Sequence, residues 1–149
     1  SEQPPYSIFA RGIEKEVLPA CKKYGLAVIP WSPLAGGWLS GKYRKNKPIP
    51  EGSRFLRRKK NMDVNSPDNA RRFDAIEALV PLADEVGLTL AEFALAWVKS
   101  NPLVTAPLLG PRTIEHLHSY LNVLDVKLPA EIIKKVDDIV PSGTDLFIL

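Results

Sequence analysis

Six consecutive residues of the chain read Leu26-Ala27-Val28-Ile29-Pro30-Trp31, and all of them are apolar. A continuous apolar run of this length is typical of a strand that is buried on both faces, as in a parallel sheet. Gly25 stops the helical pattern before the run, and Pro30 falls late in it, where a backbone donor is least needed. We therefore predict a buried strand over residues 26–31.

A second apolar run, Val104-Thr105-Ala106-Pro107-Leu108-Leu109, ends at Gly110 and predicts a second buried strand. Helical periodicity surrounds both runs. The predicted helices are Glu14–Tyr24, a helix from Ser66 or Asp68 to about Val86, Thr89–Ser100, Thr113–Leu124 and Ala130–Val140. Strands that alternate with helices indicate an α/β fold with a parallel sheet. Because two or three strands cannot close a barrel, and an eight-stranded barrel needs about 250 residues, we expect part of a larger α/β structure.

Residues 32–67 form a long predicted loop that is rich in glycine, proline and basic residues. Loops of this length in compact domains are usually functional or disordered. The basic residues are Lys42, Arg44, Lys45, Lys47, Arg54, Arg57, Arg58, Lys59 and Lys60, opposed only by Glu51. Such a patch attracts phosphate, on a dinucleotide or on nucleic acid, although a solvated surface is the commoner role of such a run.

The composition fits one compact domain over residues 1–149, with 45% hydrophobic and 25% charged residues. No apolar run approaches the roughly 18 residues that a membrane span requires. Cys21 is the single cysteine, so an internal disulfide is excluded and a cytoplasmic location is the simplest expectation. The two histidines, His116 and His118, are two residues apart and do not share a helical face, so we predict no metal site.

Two blocks of sequence carry a family resemblance. The first runs from Arg11 to Tyr43 and includes Ser32-Pro33-Leu34-Ala35-Gly36-Gly37, and the second is Leu108-Leu109-Gly110-Pro111-Arg112-Thr113, followed by Leu117. In their order and spacing they resemble the aldo-keto reductases, above all the bacterial and potassium-channel β-subunit-like branches. The resemblance covers nearly the whole chain.

The resemblance implies a (β/α)8 TIM barrel, of which this chain would form the C-terminal portion. Glu2-Gln3 would end strand six, Ala27–Trp31 would form strand seven and Thr105–Leu109 strand eight, with the C-terminal helices after them. Active sites of such barrels lie at the carboxyl ends of the strands, where Gln3, Trp31 and Gly110 would then stand.

The resemblance further implies that the chain binds NADP. Gln3 would hydrogen-bond the nicotinamide carboxamide, and Trp31 would stack on the nicotinamide ring, for which a flat π surface is required. Taken alone, Trp31 is equally well explained as a core residue. The backbone and small side chains of Ser32, Pro33, Leu34 and Gly36 would run along the pyrophosphate.

A second group of residues would supply positive charge to the phosphates and contact the adenosine end of the cofactor. Lys42 and Arg54 would neutralise phosphate, and Gly110 would make the turn before a helix whose N-terminus favours anions. Arg112 would hold the 2′-phosphate with its guanidinium fork; in isolation it is better explained as a solvated residue at a helix start. His116 stands where the family often has Gln or Glu, and Tyr120 stands where it often has Asn. Because both differ from the family pattern, the resemblance is less specific for their contacts with the adenosine end.

The family's catalytic tyrosine, lysine, aspartate and histidine have no counterpart in this sequence, so we assign no catalytic residue. The resemblance implies an oxidoreductase that reduces a small-molecule aldehyde or ketone once the barrel is complete, and little activity from this chain alone. The alternatives are a non-catalytic NADP-binding or regulatory module and, less favoured because no recognisable motif accompanies the basic patch, nucleic-acid binding. Because the terminal strands would expose their edges, we expect self-association or a partner that supplies the N-terminal half of the barrel.

Overall fold

A computed structural model describes residues 1–57 and 66–147 of the chain. Arg58, Lys59 and Lys60 of the basic patch, the remainder of the predicted loop up to Asn65, and Ile148 and Leu149 lie outside the described residues. The helices are α1 (Val17–Tyr24), α2 (Arg54–Arg57), α3 (Pro67–Glu85), α4 (Leu90–Ser100), α5 (Ile114–Leu121) and α6 (Ala130–Ile139), with 3₁₀ turns at Gly12–Glu14 and Ala35–Ser40.

Three extended segments, residues 2–6, 27–31 and 105–108, lie side by side in that order. Parallel bridges join Glu2 to Val28 and Pro5 to Trp31. The third segment attaches to the second through Thr105 N, which donates to Val28 O at 2.8 Å, and Leu108 N, which donates to Pro30 O at 2.7 Å. Because the numbers of donors and acceptors rise together, this pair also runs in one direction, and the three segments place their carboxyl ends at one edge.

The predicted strands at 26–31 and 104–109 are wrong as regular strands, since the described residues contain only isolated bridges in these segments. Pro30 and Pro107 have no N–H to donate, which interrupts the hydrogen-bond ladder. Val28 N also donates to a side chain, the Thr105 hydroxyl at 3.1 Å, instead of to a backbone carbonyl. The segments are therefore extended and adjacent, as the apolar pattern indicates, but their pairing is discontinuous.

The helices follow the local capping signals. Ser66 and Thr113 each accept a hydrogen bond from the amide three residues further along, and Thr89 forms a capping box with Glu92. The predicted start of the first helix at Glu14 is too early, because the chain forms a 3₁₀ turn over Gly12–Glu14 and α1 begins at Val17. The helix predicted to reach Leu124 ends at Leu121.

The predicted loop over residues 32–67 contains more structure than its composition indicates, namely the 3₁₀ turns at Ala35–Ser40 and the short helix α2. An aromatic cluster anchors it. The Trp38 ring centre lies 5.6 Å from that of Tyr43, 5.2 Å from that of Phe55 and 5.3 Å from that of Phe73, all at edge-to-face angles. Through Trp38, these contacts attach the loop to Phe73 of α3, and they are favourable beyond the area that they bury.

Candidate functional site

A groove with a volume of about 1040 Å³ crosses the carboxyl ends of the second and third extended segments. It exceeds the roughly 300–1,000 Å³ of pockets for drug-sized ligands, as a long ligand would require. The loop after residue 31, helix α2, the start of α4 and the first two turns of α5 form its walls. It is lined by Ser32, Pro33, Leu34, Gly36, Gly37, Ser40, Lys42, Arg54, Arg57, Thr89, Ala91, Leu108, Leu109, Gly110, Arg112, His116, Ser119 and Tyr120.

The structure thus brings ten of the twelve predicted site residues into one groove. Gln3 and Trp31 are the other two, and neither lines it. They lie together just beyond the end marked by Ser32, where the Trp31 indole Nε1 donates to the Gln3 carbonyl oxygen at 3.1 Å. Gln3 is exposed and Trp31 is half-buried.

The wall from Ser32 to Gly37 is a tight turn with an unusual backbone. Ser32 and Ala35 have φ angles of +60° and +49°, although neither is glycine. Gly36 and Gly37 continue the turn at +65° and +103°. The Ser32 hydroxyl accepts a hydrogen bond from Gly36 N at 3.0 Å. A Cβ on Gly37 would have only side-chain atoms of Lys42 and Tyr43 near it, at 3.9 and 4.0 Å, so the missing Cβ there leaves the backbone open to close approach by a ligand.

Four exposed cationic side chains line the groove, namely Lys42, Arg54, Arg57 and Arg112. Over the described part of the chain, none of the four forms an ion pair with a carboxylate. Lysine and arginine without carboxylate partners attract phosphate groups, and arginine binds them with a bidentate fork. This charge favours an anionic ligand in the groove.

Two other members of the basic patch form ion pairs with carboxylates outside the groove. The Arg44 guanidinium donates from Nε and Nη2 to both carboxylate oxygens of Glu77, at 2.9 and 2.7 Å, and Lys45 pairs with Asp74. These bonds tie the loop to α3. They also reduce the charge that the patch has available for nucleic acid, which stays the least favoured of the predicted roles.

Glu77 makes a pH-dependent contribution to stability. Its hydrogen bonds with Arg44, and a further one from Lys45 N, lower the pKa of the carboxyl from 4.5 to about 2. A lowered pKa stabilises the folded state above the unfolded-state value, and this contribution is lost as the pH falls towards 2. We therefore expect the free energy of unfolding to fall between about pH 4.5 and 2, and Glu77→Gln to flatten that fall. Urea unfolding at a series of pH values measures it, and an equally steep fall in the variant would contradict the assignment.

Helix α5 presents its first turns to the groove. Thr113 caps it, accepting from His116 N at 3.3 Å, and Arg112, just before the helix, and His116, in its first turn, line the same groove. The rings of His116 and Tyr120 are parallel, with centres 6.3 Å apart and an angle of 16° between the planes. This pair offers a flat surface at the end of the groove opposite Trp31.

Several lining residues were not predicted. Gly37, Ser40 and Arg57 stand within predicted features, the glycine-rich turn and the basic patch, and were identifiable there. Thr89 and Ala91 carry no local signal, because the packing of α4 against the loop brings them to the groove. Ser119 lies beside them, and its hydroxyl donates to Glu92 Oε1 at 3.0 Å, which links α5 to α4.

A buried polar cluster lies outside the groove. The Tyr6 hydroxyl donates to Glu14 Oε1 at 2.7 Å, and the Arg11 guanidinium donates to both Glu14 oxygens at 3.0 Å. Burial, followed by the bond to Glu14, raises the pKa of Tyr6 far above its ordinary value, so Tyr6 holds its proton at neutral pH. No group of three metal-ligating side chains converges anywhere in residues 1–57 or 66–147. No helix in these ranges has the length and apolar character to cross a membrane.

The chain matches known proteins over most of its length. The model of the aldo/keto reductase family matches residues 1–141. With 141 of its 149 residues matched, the chain belongs to the aldo/keto reductase family, and the predicted resemblance is confirmed, including its channel-subunit branch.

Two curated relatives illustrate the match. An uncharacterized oxidoreductase of Bacillus subtilis is 39% identical over 141 residues, covering 95% of this chain and 40% of the relative. A probable voltage-gated potassium channel subunit beta of Oryza sativa is 40% identical over 147 residues, covering 95% of this chain and 44% of the relative. The chain therefore spans less than half the length of these relatives.

A solved structure supports the fold. The glycerol dehydrogenase of Gluconobacter oxydans superposes with a TM-score of 0.77 at 28% identity, covering 99% of this chain and 45% of that protein. The α/β architecture predicted from the alternation of apolar runs and helices is thus an aldo/keto reductase fold, even though the pairing of its extended segments is discontinuous.

Proposed function

We propose that this chain forms the NADP-binding part of an oxidoreductase that reduces small aldehydes or ketones by hydride transfer. One observation carries the proposal: ten residues predicted from the family resemblance line a single groove, whose four cationic side chains, three of them among the ten, have no described carboxylate partner. In this proposal the chain is the C-terminal portion of a (β/α)8 barrel, with residues 2–6, 27–31 and 105–108 in the places of strands six, seven and eight.

The residues of the groove fit a reduced dinucleotide in order. The Ser32–Gly37 turn, open at Gly37, and the cations Lys42 and Arg54 would face the pyrophosphate. Arg112 and the N-terminus of α5 would hold the 2′-phosphate. His116 and Tyr120 would lie at the adenosine end.

The nicotinamide end would extend beyond the groove towards Trp31 and Gln3. Trp31 would stack on the ring, and Gln3 would hydrogen-bond its carboxamide. The bound cofactor supplies the hydride, while these side chains orient the ring and determine which of its faces is open to the substrate. No residue of this chain is proposed as the general acid, a role worth about 10² to 10⁴ in rate. Turnover would then require the remaining strands of the barrel.

Titration with NADPH tests the proposal directly. We expect NADPH to quench the tryptophan fluorescence of the chain, because a nicotinamide stacked on Trp31 lies in contact with the indole. The matched control is Trp31→Phe, which keeps an aromatic ring and should bind NADPH while losing most of the quench. Trp38 and Trp97 are buried in the core and remain in that variant, where they report the part of the quench that comes from energy transfer over distance and not from contact with Trp31. Saturating NADPH that leaves both the fluorescence and the calorimetric heat unchanged would refute the proposal.

A second candidate, a non-catalytic NADP-binding or regulatory module, is favoured by the 40% identity to a protein named as a potassium channel subunit beta. Both candidates bind NADPH, so binding does not separate them. The two candidates are separated by measuring NADPH oxidation with 4-nitrobenzaldehyde after the N-terminal half of the barrel is supplied. Turnover would favour the reductase, and cofactor binding without turnover would favour the regulatory module.

An exposed apolar strip supports a barrel partner or self-association. It comprises Ile114, Leu117, Leu121 and Leu124, on α5 and just after it, which are between 39% and 64% exposed. Exposed apolar patches of this kind mark contact surfaces. We expect light scattering to show that the isolated chain self-associates, and Leu117→Lys or Leu121→Lys to reduce the association. A monodisperse monomer at high concentration would contradict this expectation.

A further inference from the structure

The C-terminal segment is pinned to the loop that comes after the first extended segment. Leu146 N and Phe147 N both donate to the Phe9 carbonyl, at 2.8 and 2.9 Å. One residue earlier, the Asp145 carboxylate accepts from Gly12 N at 2.8 Å. Three hydrogen bonds therefore determine where the chain places the Phe147 ring.

The Phe147 ring lies directly behind the groove wall. It is 7% exposed, and a Cβ built on Gly36 would come within 2.9 Å of its Cζ atom. Gly36 lines the groove on its other side. The Arg72 guanidinium lies 5.8 Å from the centre of the Phe147 ring and 5.4 Å from that of Trp38, and it donates to the Leu146 carbonyl. The ring is thus held between the turn and α3.

The turn in front of this ring requires external support. Ser32 and Ala35 adopt left-handed φ angles, which are strained for residues other than glycine. Such conformations persist only where the surrounding structure enforces them. Within the turn, the bonds from Ala35 N to Ser32 O and from Gly36 N to the Ser32 hydroxyl hold its ends, and Phe147 closes its rear face at Gly36.

We propose that Phe147 is a positioning residue for the Ser32–Gly37 turn, holding the turn in the shape that lines the groove so that the C-terminal segment sets the affinity for the dinucleotide. The affinity part of this inference rests on the proposed function. The positioning part concerns the turn alone and holds with or without a ligand. Phe147 touches Gly36 at the proposed pyrophosphate end and is not among the residues around Arg112. Its effect therefore falls on the part of the cofactor that NADPH and NADH share.

The test compares Phe147→Ala and Phe147→Leu with the unsubstituted chain. We expect Phe147→Ala to raise the Kd for NADPH and for NADH by the same factor, about tenfold, and Phe147→Leu to restore most of the affinity. Amide hydrogen exchange without cofactor should show faster exchange at Gly36 and Gly37 in Phe147→Ala. The control is Leu128→Ala, which removes a comparably buried side chain away from the groove and should lower the melting temperature without changing either Kd.

The outcomes separate the two proposals. Faster exchange at Gly36 and Gly37 in a chain that binds no dinucleotide would uphold the positioning role and refute the proposed function. Unchanged exchange, or Kd values that match those of the Leu128→Ala control, would overturn the inference. If Phe147→Ala does not fold, Phe147→Leu decides by the same exchange measurement, with a smaller acceleration expected. A change confined to NADPH would also overturn it, because that pattern belongs to the 2′-phosphate.

Discussion

Replacing Arg112 by alanine is expected to weaken NADPH binding by about 10- to 100-fold, the loss of one or two hydrogen bonds to a charged group. NADH has no 2′-phosphate, so its Kd should change little. The reason is geometric: Arg112 is exposed, lines the groove two residues after the turn at Gly110, and has no described carboxylate partner to hold its guanidinium elsewhere. Isothermal calorimetry measures the Kd of each variant for NADPH and for NADH, and so the factor by which each affinity changes.

Two control variants sharpen this prediction. Arg71→Ala removes the same charge from an exposed position on α3 that lines a different cavity, and it should leave both affinities unchanged. Arg112→Lys keeps the charge but loses the planar fork, so an intermediate loss is expected. Equal losses for NADPH and NADH in Arg112→Ala would contradict the assignment of Arg112 to the 2′-phosphate.

Replacing Glu14 by glutamine is expected to lower the free energy of unfolding by about 1–3 kcal/mol, the cost of leaving buried donors without an acceptor, because Arg11 keeps a second carboxylate partner in Asp137 at 2.8 Å. The side chains of Arg11 and Glu14 are only 5% and 11% exposed. Burial opposes the charge of Glu14, but its bonds with Arg11, Ser142 and Tyr6 prevail and lower the pKa of the carboxyl. An amide accepts at one atom only. Its oxygen could replace Oε1, which receives Tyr6 and Arg11 Nε, but its NH2 could not replace Oε2, which receives Arg11 Nη2 and Ser142.

The size of the loss depends on how many polar groups of the cluster keep a partner. Arg11→Met combined with Glu14→Met and Asp137→Leu should therefore be more stable than Glu14→Gln, since apolar replacement of a whole buried ion-pair group is often neutral or stabilising. Lys134→Met, which removes one partner of an exposed pair with Asp138, should stay within about 0.5 kcal/mol of the parent. Urea unfolding followed by circular dichroism checks all three. A loss below about 1 kcal/mol for Glu14→Gln would show that water replaces the ion pair.

The helices were largely predictable because their ends are marked by local chemistry. Ser66, Thr89 and Thr113 are capping residues whose side chains bond amides three residues away, within the same stretch of sequence. The early boundary at Glu14 was wrong for a long-range reason. Glu14 bonds Tyr6 and Ser142, and the chain bends there in a 3₁₀ turn before α1 begins.

The groove was predictable where the ligand-facing residues are consecutive or nearly so along the chain. Ser32–Lys42 and Gly110–Tyr120 come directly after two apolar segments, and parallel neighbouring segments place the residues after their carboxyl ends at one edge. The position of Trp31 and Gln3 outside the groove was not predictable, because it depends on the indole donating to a backbone oxygen of the neighbouring segment. The local sequence also does not show which basic residues lack a carboxylate partner. Arg44 and Lys45 are paired by Glu77 and Asp74, which lie on α3, far along the chain.

By itself, the order of apolar runs, caps and glycines determined the alternation of helices with extended segments, and the resemblance of two sequence blocks to the aldo-keto reductases indicated the family and the chain positions that line the groove. These are properties of near neighbours in sequence, and steric preference and hydrogen bonding within a few residues express them. Only the packed chain established that Phe147 lies behind Gly36, that Thr89 and Ala91 reach the groove, and that Arg11 and Glu14 are buried together. Such contacts join residues far apart in the sequence, and their burial and distance exist only once the core has formed around them.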